Sequence, residues 1–131
     1  MIKRAADYLV TQFKMLGLKV MRYDAFSTRS VYLKLDDGVV GTIRISDHGG
    51  KKHLRYKYNL IKNSNRYKRN DKGVERYFFP MRDIDLLIEK IMYDKSILMQ
   101  KYGQNQYERY MKMNCERGKN HKGFWQQAKY M

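Results

Sequence analysis

Cysteine is almost absent from this chain, which has one thiol, Cys115, among its 131 residues. A single cysteine excludes an internal disulfide, and we expect it to be a small buried hydrophobe in a reducing compartment. The three histidines, His48, His53 and His121, lack the paired spacings with Cys115 that structural zinc sites require. We therefore expect neither a metal nor another cofactor.

Long apolar runs are also missing. No stretch of 18 apolar residues occurs, and the first residues lack the apolar region of a signal peptide. These absences predict a cytoplasmic protein that does not span a membrane.

Acidic residues are scarce, since 13 Asp and Glu accompany 28 Lys and Arg, for a formal net charge of +15. Such an excess is usually retained because an anionic partner neutralises it. Composition alone leaves nucleic acid, an anionic membrane surface and an acidic protein face as candidates.

The clearest pattern is a β-hairpin over residues 28 to 48, where apolar and polar residues alternate on both sides of Asp36-Asp37-Gly38. A two-residue loop would place apolar opposite charged residues. A three-residue loop with Gly38 in the left-handed region instead gives a wholly apolar face. Its predicted pairs are Val31 with Ile43, Leu33 with Gly41 and Leu35 with Val39.

The other face of this hairpin is polar. It carries Ser30 opposite Arg44 and Tyr32 opposite Thr42, with Ser46 and His48 further along. We expect this face to point outward, away from the core. An ordinary solvated face is the plainer explanation, but hydroxyl, guanidinium and imidazole groups together suit an anionic partner.

The rest of the chain alternates helix and strand signals. Apolar spacing predicts a helix over 2–16 that ends at Gly17, and a longer one that begins at Asp83 and ends at Gly103. A further helix is predicted over 104–117, and short strands over 18–23, 54–60 and 74–79, the last ended by Pro80. In the second of these strands, Tyr56 and Tyr58 are predicted to share an aromatic face. Phe124 and Trp125 in the basic tail either dock on the body or anchor a partner.

Positive charge is concentrated between residues 51 and 76, which hold ten Lys or Arg and two acids. Residues 63–73 have turn composition and predict an exposed loop in which Tyr67 lies among basic residues, a combination typical of RNA and single-strand binding. The preceding Gly-rich segment 48–53 is only a weak phosphate-binding candidate. The predicted nucleic-acid or effector contacts are Ser30, Tyr32, Arg44, Ser46, Asp47, His48, Lys51, Lys52, Arg55, Lys57, Arg66, Tyr67, Lys68 and Arg69.

Catalysis is a second hypothesis for the polar face of the hairpin. Metal-independent RNA cleavage needs a base, an acid and a cation near the phosphate, and His48, Tyr32 and Arg44 supply these groups. The alternative is that they bind or pack without reacting. A Ser-His-Asp triad is disfavoured, because Asp47 is adjacent to His48 in a strand and points the opposite way.

The hairpin also carries two short motifs, Ser30-x-Tyr32 and Ile43-Arg44-Ile45-Ser46-Asp47-His48. They resemble elements of the broad-spectrum type II-A anti-CRISPR family of streptococcal phages, which inhibits Cas9. The likeness covers about residues 5 to 95, although Asp47 replaces an Asn, and the basic arm that begins the family's proteins has no counterpart in this chain. The resemblance implies a phage or mobile-element protein that acts on Cas9, its guide RNA or both in the bacterial cytoplasm, with loss of guide RNA.

The combined expectation is an α+β protein with an antiparallel sheet of four to five strands packed against two helices. Residues 1–103 are predicted to form the core domain and residues 104–131 a basic helical extension. The leading functional hypothesis is an anti-CRISPR-like inhibitor. A ribonuclease using His48 and a general nucleic-acid-binding accessory protein are the alternatives.

Overall fold

The structure, a computed structural model, describes residues 2–26, 29–47, 56–62, 65–71, 74–119 and 123–131. In these parts of the chain, two helices and seven strands form an α+β fold. The elements are α1 (Ile2–Met15), β1 (Val20–Asp24), β2 (Ser30–Leu35), β3 (Gly41–Ser46), β4 (Tyr58–Ile61), β5 (Tyr67–Asp71), β6 (Val74–Pro80), α2 (Ile84–Lys119) and β7 (Lys129–Tyr130).

The strands make one mixed sheet in the order β5-β6-β4-β3-β2-β1-β7. The α+β class is confirmed, but the prediction of four to five antiparallel strands is wrong. The pairs β3–β4 and β4–β6 are parallel, and the other four are antiparallel. Parallel pairing depends on long connections, here residues 47–57 and the excursion through β5, which strand periodicity does not reveal.

Both helices pack on one face of this sheet. Leu9 and Phe13 of α1 and Leu87 and Ile91 of α2 are fully buried in a cluster with the apolar face of the strands. The predicted first helix is confirmed, and Gly17 follows it with a φ of 86°. The sheet residues of this core are Val20, Val31, Leu33, Leu35, Ile43, Ile45, Tyr58, Leu60 and Phe79.

The hairpin forms in a different register from the predicted one. Val31 pairs with Ile45, Leu33 with Ile43 and Leu35 with Gly41. The predicted pairing is therefore wrong by two residues, because the connection spans residues 36–40 instead of three. A shift of two leaves every side chain on its predicted face, since the side-chain period of a strand is two.

The longer turn has a structural cause in its two aspartates. Asp36 and Asp37 are buried and adopt φ values of 49° and 52°. Asp36 accepts hydrogen bonds from the Lys19 amide at 2.8 Å and from the Tyr107 hydroxyl, and its other neighbour is the Lys95 ammonium at 3.0 Å. The turn is thus an internal junction between the sheet and α2.

The helix α2 is interrupted at Gly103, whose φ of 77° and ψ of 164° are far from helical values. This break divides it into segments 84–102 and 104–119, in agreement with the predicted helix end at Gly103. The second segment packs against the body of the protein, since Tyr107 is buried in the core cluster and Met111 contacts that cluster. The division into domains 1–103 and 104–131 stays a prediction.

The exposed loop predicted over 63–73 contains β5, so the prediction of a loop is wrong, although the described residues 65–70 are exposed as expected. Residues Tyr67–Asp71 pair antiparallel with β6 at the edge of the sheet. Charged residues are common on edge strands, where they discourage pairing with another chain.

Candidate nucleic-acid interface

The sheet face opposite the helices presents a row of side chains that crosses six strands. The Cα pairing of the strands places these side chains directly beside one another, from β1 at one end to β5 at the other. Aligned residues of neighbouring strands point to the same face. This cross-sheet row consists of Tyr23, Tyr32, Arg44, Asn59, Phe78 and Tyr67.

Arg44 lies in the middle of the row and is fully buried, with 0% of its surface exposed. Its Nη2 donates a hydrogen bond to Ser30 Oγ at 3.4 Å. The predicted common face of Ser30, Tyr32, Arg44 and Ser46 is confirmed by the strand pairing, with Tyr32 opposite Arg44 and Ser30 opposite Ser46. The expectation that this face is open is wrong, because all four residues are at most 3% exposed.

Aromatic side chains from distant parts of the chain cover this region. The Phe124 ring lies edge-on to Tyr32 at 4.7 Å and to Tyr23 at 4.9 Å between centroids. Trp125 meets Tyr32 at 6.5 Å, and the Lys34 ammonium lies 4.5 Å from the Trp125 ring. Of the two alternatives left open by the sequence, the aromatic tail therefore docks on the body.

Tyr56 covers the row from the other side. Its ring stacks on Tyr32 at 5.4 Å and lies 5.9 Å from the Arg44 guanidinium carbon. Burial raises the pKa of Tyr56, the neighbouring Tyr32 hydroxyl raises it further, and the charges of Arg44 and Arg76 act in the opposite direction. Two guanidinium groups thus border one buried phenol.

The prediction that Tyr56 and Tyr58 share a face is wrong. Tyr58 pairs with Ile43 on the helix side of the sheet, where its hydroxyl donates to Asp94. Burial raises the pKa of Tyr58, and the hydrogen bond to Asp94 adds to the effect. Lys57 lies 3.7 Å from the same carboxylate. The strand begins only at Tyr58, so the strict alternation assumed for 54–60 does not extend back to Tyr56.

The outer end of the row is accessible. Tyr67 of β5 is 46% exposed, and its ring stacks on Phe78 of β6 at 4.4 Å with an interplanar angle of 8°. Arg69 lies opposite Arg76 on the same face. We call β5, β6 and the preceding Arg66 the basic hairpin.

The two faces of the basic hairpin carry different charged residues. Lys68 projects to the helix side, where it forms an ion pair with Glu75 at 2.9 Å, and Tyr77 donates to that carboxylate at 2.7 Å. The hydrogen bond from Lys68 lowers the pKa of Glu75, and the hydrogen bond from Tyr77 lowers it further. On the row side, Arg69 and Arg76 lie opposite each other across the strands. Both faces of the hairpin therefore present basic side chains.

Several predicted contact residues fall outside the described parts of the chain, namely His48, Lys51, Lys52 and Arg55. Asp47 is half-buried, and its Oδ2 lies 3.5 Å from Arg29 Nη1. Both line a cavity of about 600 Å³ at one end of the sheet. The catalytic assignment of His48, Tyr32 and Arg44 stays a prediction, and two of these three side chains are covered by aromatic rings.

Sequence reasoning missed four members of this site: Tyr23, Asn59, Arg76 and Phe78. Tyr23 lies beside Tyr32, and Arg76 lies opposite Arg69. Asn59 and Phe78 join the row through the parallel pairing of β4 with β3 and β6. The signal that could have found Phe78 is the alternation of residues 74–79, because a strand there puts Phe78 on the face opposite to Tyr77 and Phe79, as the pairing of β6 shows.

Among the described residues, no group of three or more His, Cys, Asp or Glu side chains could hold a metal ion. Over the same residues, neither helix has the length and apolarity needed to cross a membrane. Comparison of the chain with family models, curated proteins and solved structures gave no match.

Proposed function

We propose that this protein binds single-stranded RNA through the basic hairpin and inhibits a bacterial RNA-guided nuclease, acting on Cas9, its guide RNA or both in the host cytoplasm. The observation that carries the RNA-binding part is the exposed Tyr67 ring, stacked on Phe78 and flanked by guanidinium groups. The nuclease is proposed from the resemblance of the hairpin motifs to the anti-CRISPR family.

Charge supports a polyanionic partner at this place. Arg69 and Arg76 lie directly opposite each other in the antiparallel pair of β5 and β6. Guanidinium groups bind phosphate through paired, charge-assisted hydrogen bonds. The net charge of +15 extends the attraction beyond the hairpin, so that binding is expected to weaken steeply with salt.

Stacking supports a single strand over a duplex. Bases of a single strand are free to stack on an aromatic side chain, and each such contact contributes about 1–3 kcal/mol. The Tyr67 ring is held flat against Phe78 and is half-exposed, so the ring is already oriented before binding. Bases in a duplex are stacked on each other and do not offer that surface.

The test is the affinity of the purified protein for a labelled guide RNA, measured by fluorescence anisotropy at fixed salt. Tyr67→Ala should weaken binding about fivefold or more, the equivalent of about 1 kcal/mol. Tyr93→Ala, which removes an exposed tyrosine from α2, is the matched control and should leave the affinity unchanged.

Equal affinities of the two variants would overturn the assignment of the hairpin. Inhibition of DNA cleavage by the Cas9–guide complex should fall in parallel with RNA affinity. If an unrelated duplex binds as tightly as the guide RNA, the protein is a general nucleic-acid-binding protein. Guide cleavage in the presence of a chelator, abolished by His48→Ala, would instead identify a ribonuclease.

A further inference from the structure

The C-terminal residues 123–131 lie across the sheet face that contains Arg44, and we call them the C-terminal strap. We propose that the strap is an intramolecular cover of a second RNA-stacking surface, made of Tyr23 and Tyr32 beside Arg44, and that single-stranded RNA displaces it. The proposal rests on the RNA-binding function proposed above, because the covered surface continues the site of the basic hairpin.

The covered surface and the basic hairpin belong to the same cross-sheet row. Tyr67 and Phe78 occupy one end of the row, and Tyr32 and Tyr23 the other, with Asn59 and Arg44 between them. Four strand steps separate β5 from β2, a distance of about 19 Å at about 4.8 Å per strand. An extended single strand of a few nucleotides covers such a distance, within the site sizes of other single-strand binders.

The strap makes contacts of the kind that nucleotides make on such a surface. Phe124 places its ring against Tyr23 and Tyr32, and Trp125 lies between Tyr32 and the Lys34 ammonium. A nucleobase offers the same aromatic contacts and adds a phosphate.

The attachment of the strap is small compared with the other elements of the sheet. Its strand β7 has two residues, both exposed, at the edge of the sheet. Beyond this pairing, Met131 donates a backbone hydrogen bond to Val20 at 2.9 Å, and the Tyr130 hydroxyl donates to Asp37 at 2.7 Å. The Tyr130 hydroxyl also lies 3.7 Å from Cys115 Sγ, and the Lys19 ammonium lies 4.5 Å from the centre of the Tyr130 ring. A short edge strand of this kind belongs to the least stable part of a fold and opens before the core does.

Two kinds of variant open or lock the strap. Phe124→Ala combined with Trp125→Ala removes the aromatic cover and leaves β7 intact. Met21→Cys combined with Tyr130→Cys, in a Cys115→Ser background, locks the strap when oxidised. Met21 and Tyr130 are antiparallel partners, so their Cα atoms are within the separation that a disulfide spans. The reduced form of the same chain is its matched control.

The measurement is the Kd of each variant for a labelled single-stranded RNA of about 12 nucleotides, a length within known single-strand site sizes. The opened variant should bind about threefold to tenfold more tightly than wild type, because RNA no longer competes with the cover. The oxidised chain should bind more weakly than the reduced one. Circular dichroism checks that the opened variant is folded. If it is not folded, the proposal is tested by the comparison of the oxidised and reduced chains alone.

The outcomes separate this inference from the function on which it rests. Loss of affinity in Tyr67→Ala, with identical Kd values for the oxidised and reduced chains, overturns the strap proposal and keeps the RNA-binding function. Weaker binding by a folded opened variant also overturns it, because the strap is then part of the RNA site. If neither wild type nor the opened variant binds RNA, the proposed function itself fails.

Discussion

Replacing Asp36 by Asn tests whether the turn between β2 and β3 joins the sheet to α2. Asp36 is 2% exposed and contacts Lys95, Tyr107 and the Lys19 amide. Asparagine preserves the shape and one acceptor but leaves the Lys95 ammonium, itself only 17% exposed, without its counterion. Breaking a buried pair by removing one partner costs about 3–5 kcal/mol. Because Lys95 retains some access to water, we expect the lower end, about 3 kcal/mol.

Urea unfolding at neutral pH measures this loss, with the slope expected to be unchanged. The matched control is Asp85→Asn, which removes an exposed carboxylate that accepts a hydrogen bond from Tyr8 at 2.6 Å. That change should cost about 1 kcal/mol or less. A loss for Asp36→Asn no larger than that of the control would refute the view that this turn is an internal junction. Tyr107→Phe in the same background should show non-additivity of about 0.5 kcal/mol or more.

Two further predictions concern stability. Burial raises the pKa of Tyr107, and its hydrogen bond to Asp36 raises it further. The unfolded chain releases this proton near pH 10 while the folded chain keeps it, so the contribution of Tyr107 is complete below about pH 10 and declines above it. Urea midpoints should therefore fall less steeply above pH 10 in Tyr107→Phe than in wild type, and equal slopes would contradict this. Gly103→Ala should cost about 1–3 kcal/mol, since alanine is strained at a φ of 77°. Gly118→Ala changes a glycine of the same helix whose φ is not positive, so it should leave the stability unchanged or raise it. The melting temperatures of the two variants and of wild type measure both effects.

The faces of the hairpin strands could be predicted from the sequence, whereas their pairing could not. Alternation with period two places Ser30, Tyr32, Arg44 and Ser46 together whatever the turn length, provided that the register changes by an even number. The register itself depends on how many residues the turn contains. Here the buried side chains of Asp36 and Asp37 extend the turn, through hydrogen bonds from Tyr107 of α2 and Tyr130 of β7 that lie far away in the sequence.

The burial of the polar face of the hairpin could not be predicted because its cover comes from outside the hairpin. Tyr56 lies beside Tyr32 and Arg44, and Phe124 reaches Tyr32 only after α2 has returned the chain to the edge of the sheet at β1. A local pattern of polar residues reports which face a side chain occupies. It contains no information on what lies above that face.

The strand β5 was missed for a different reason. Residues 67–70 are exposed, and the strand is mostly charged or polar, so it lacks the apolar alternation that identifies a strand. Edge strands are often protected in this way. The aromatic and basic residues of the predicted loop nevertheless belong to the surface that the structure presents, with Tyr67 and Arg69 now placed in a row by their pairing with β6.

The most direct test of the central claim is the salt dependence of guide-RNA binding by wild type and by Arg69→Gln. For a single strand, each phosphate neutralised by a cation contributes a slope of about −0.7 to a plot of log K against log salt. The wild-type slope should be steep and negative, and Arg69→Gln should make it shallower by about 0.7. An affinity that does not change with salt, or an unchanged slope in the variant, would contradict phosphate binding by the basic hairpin.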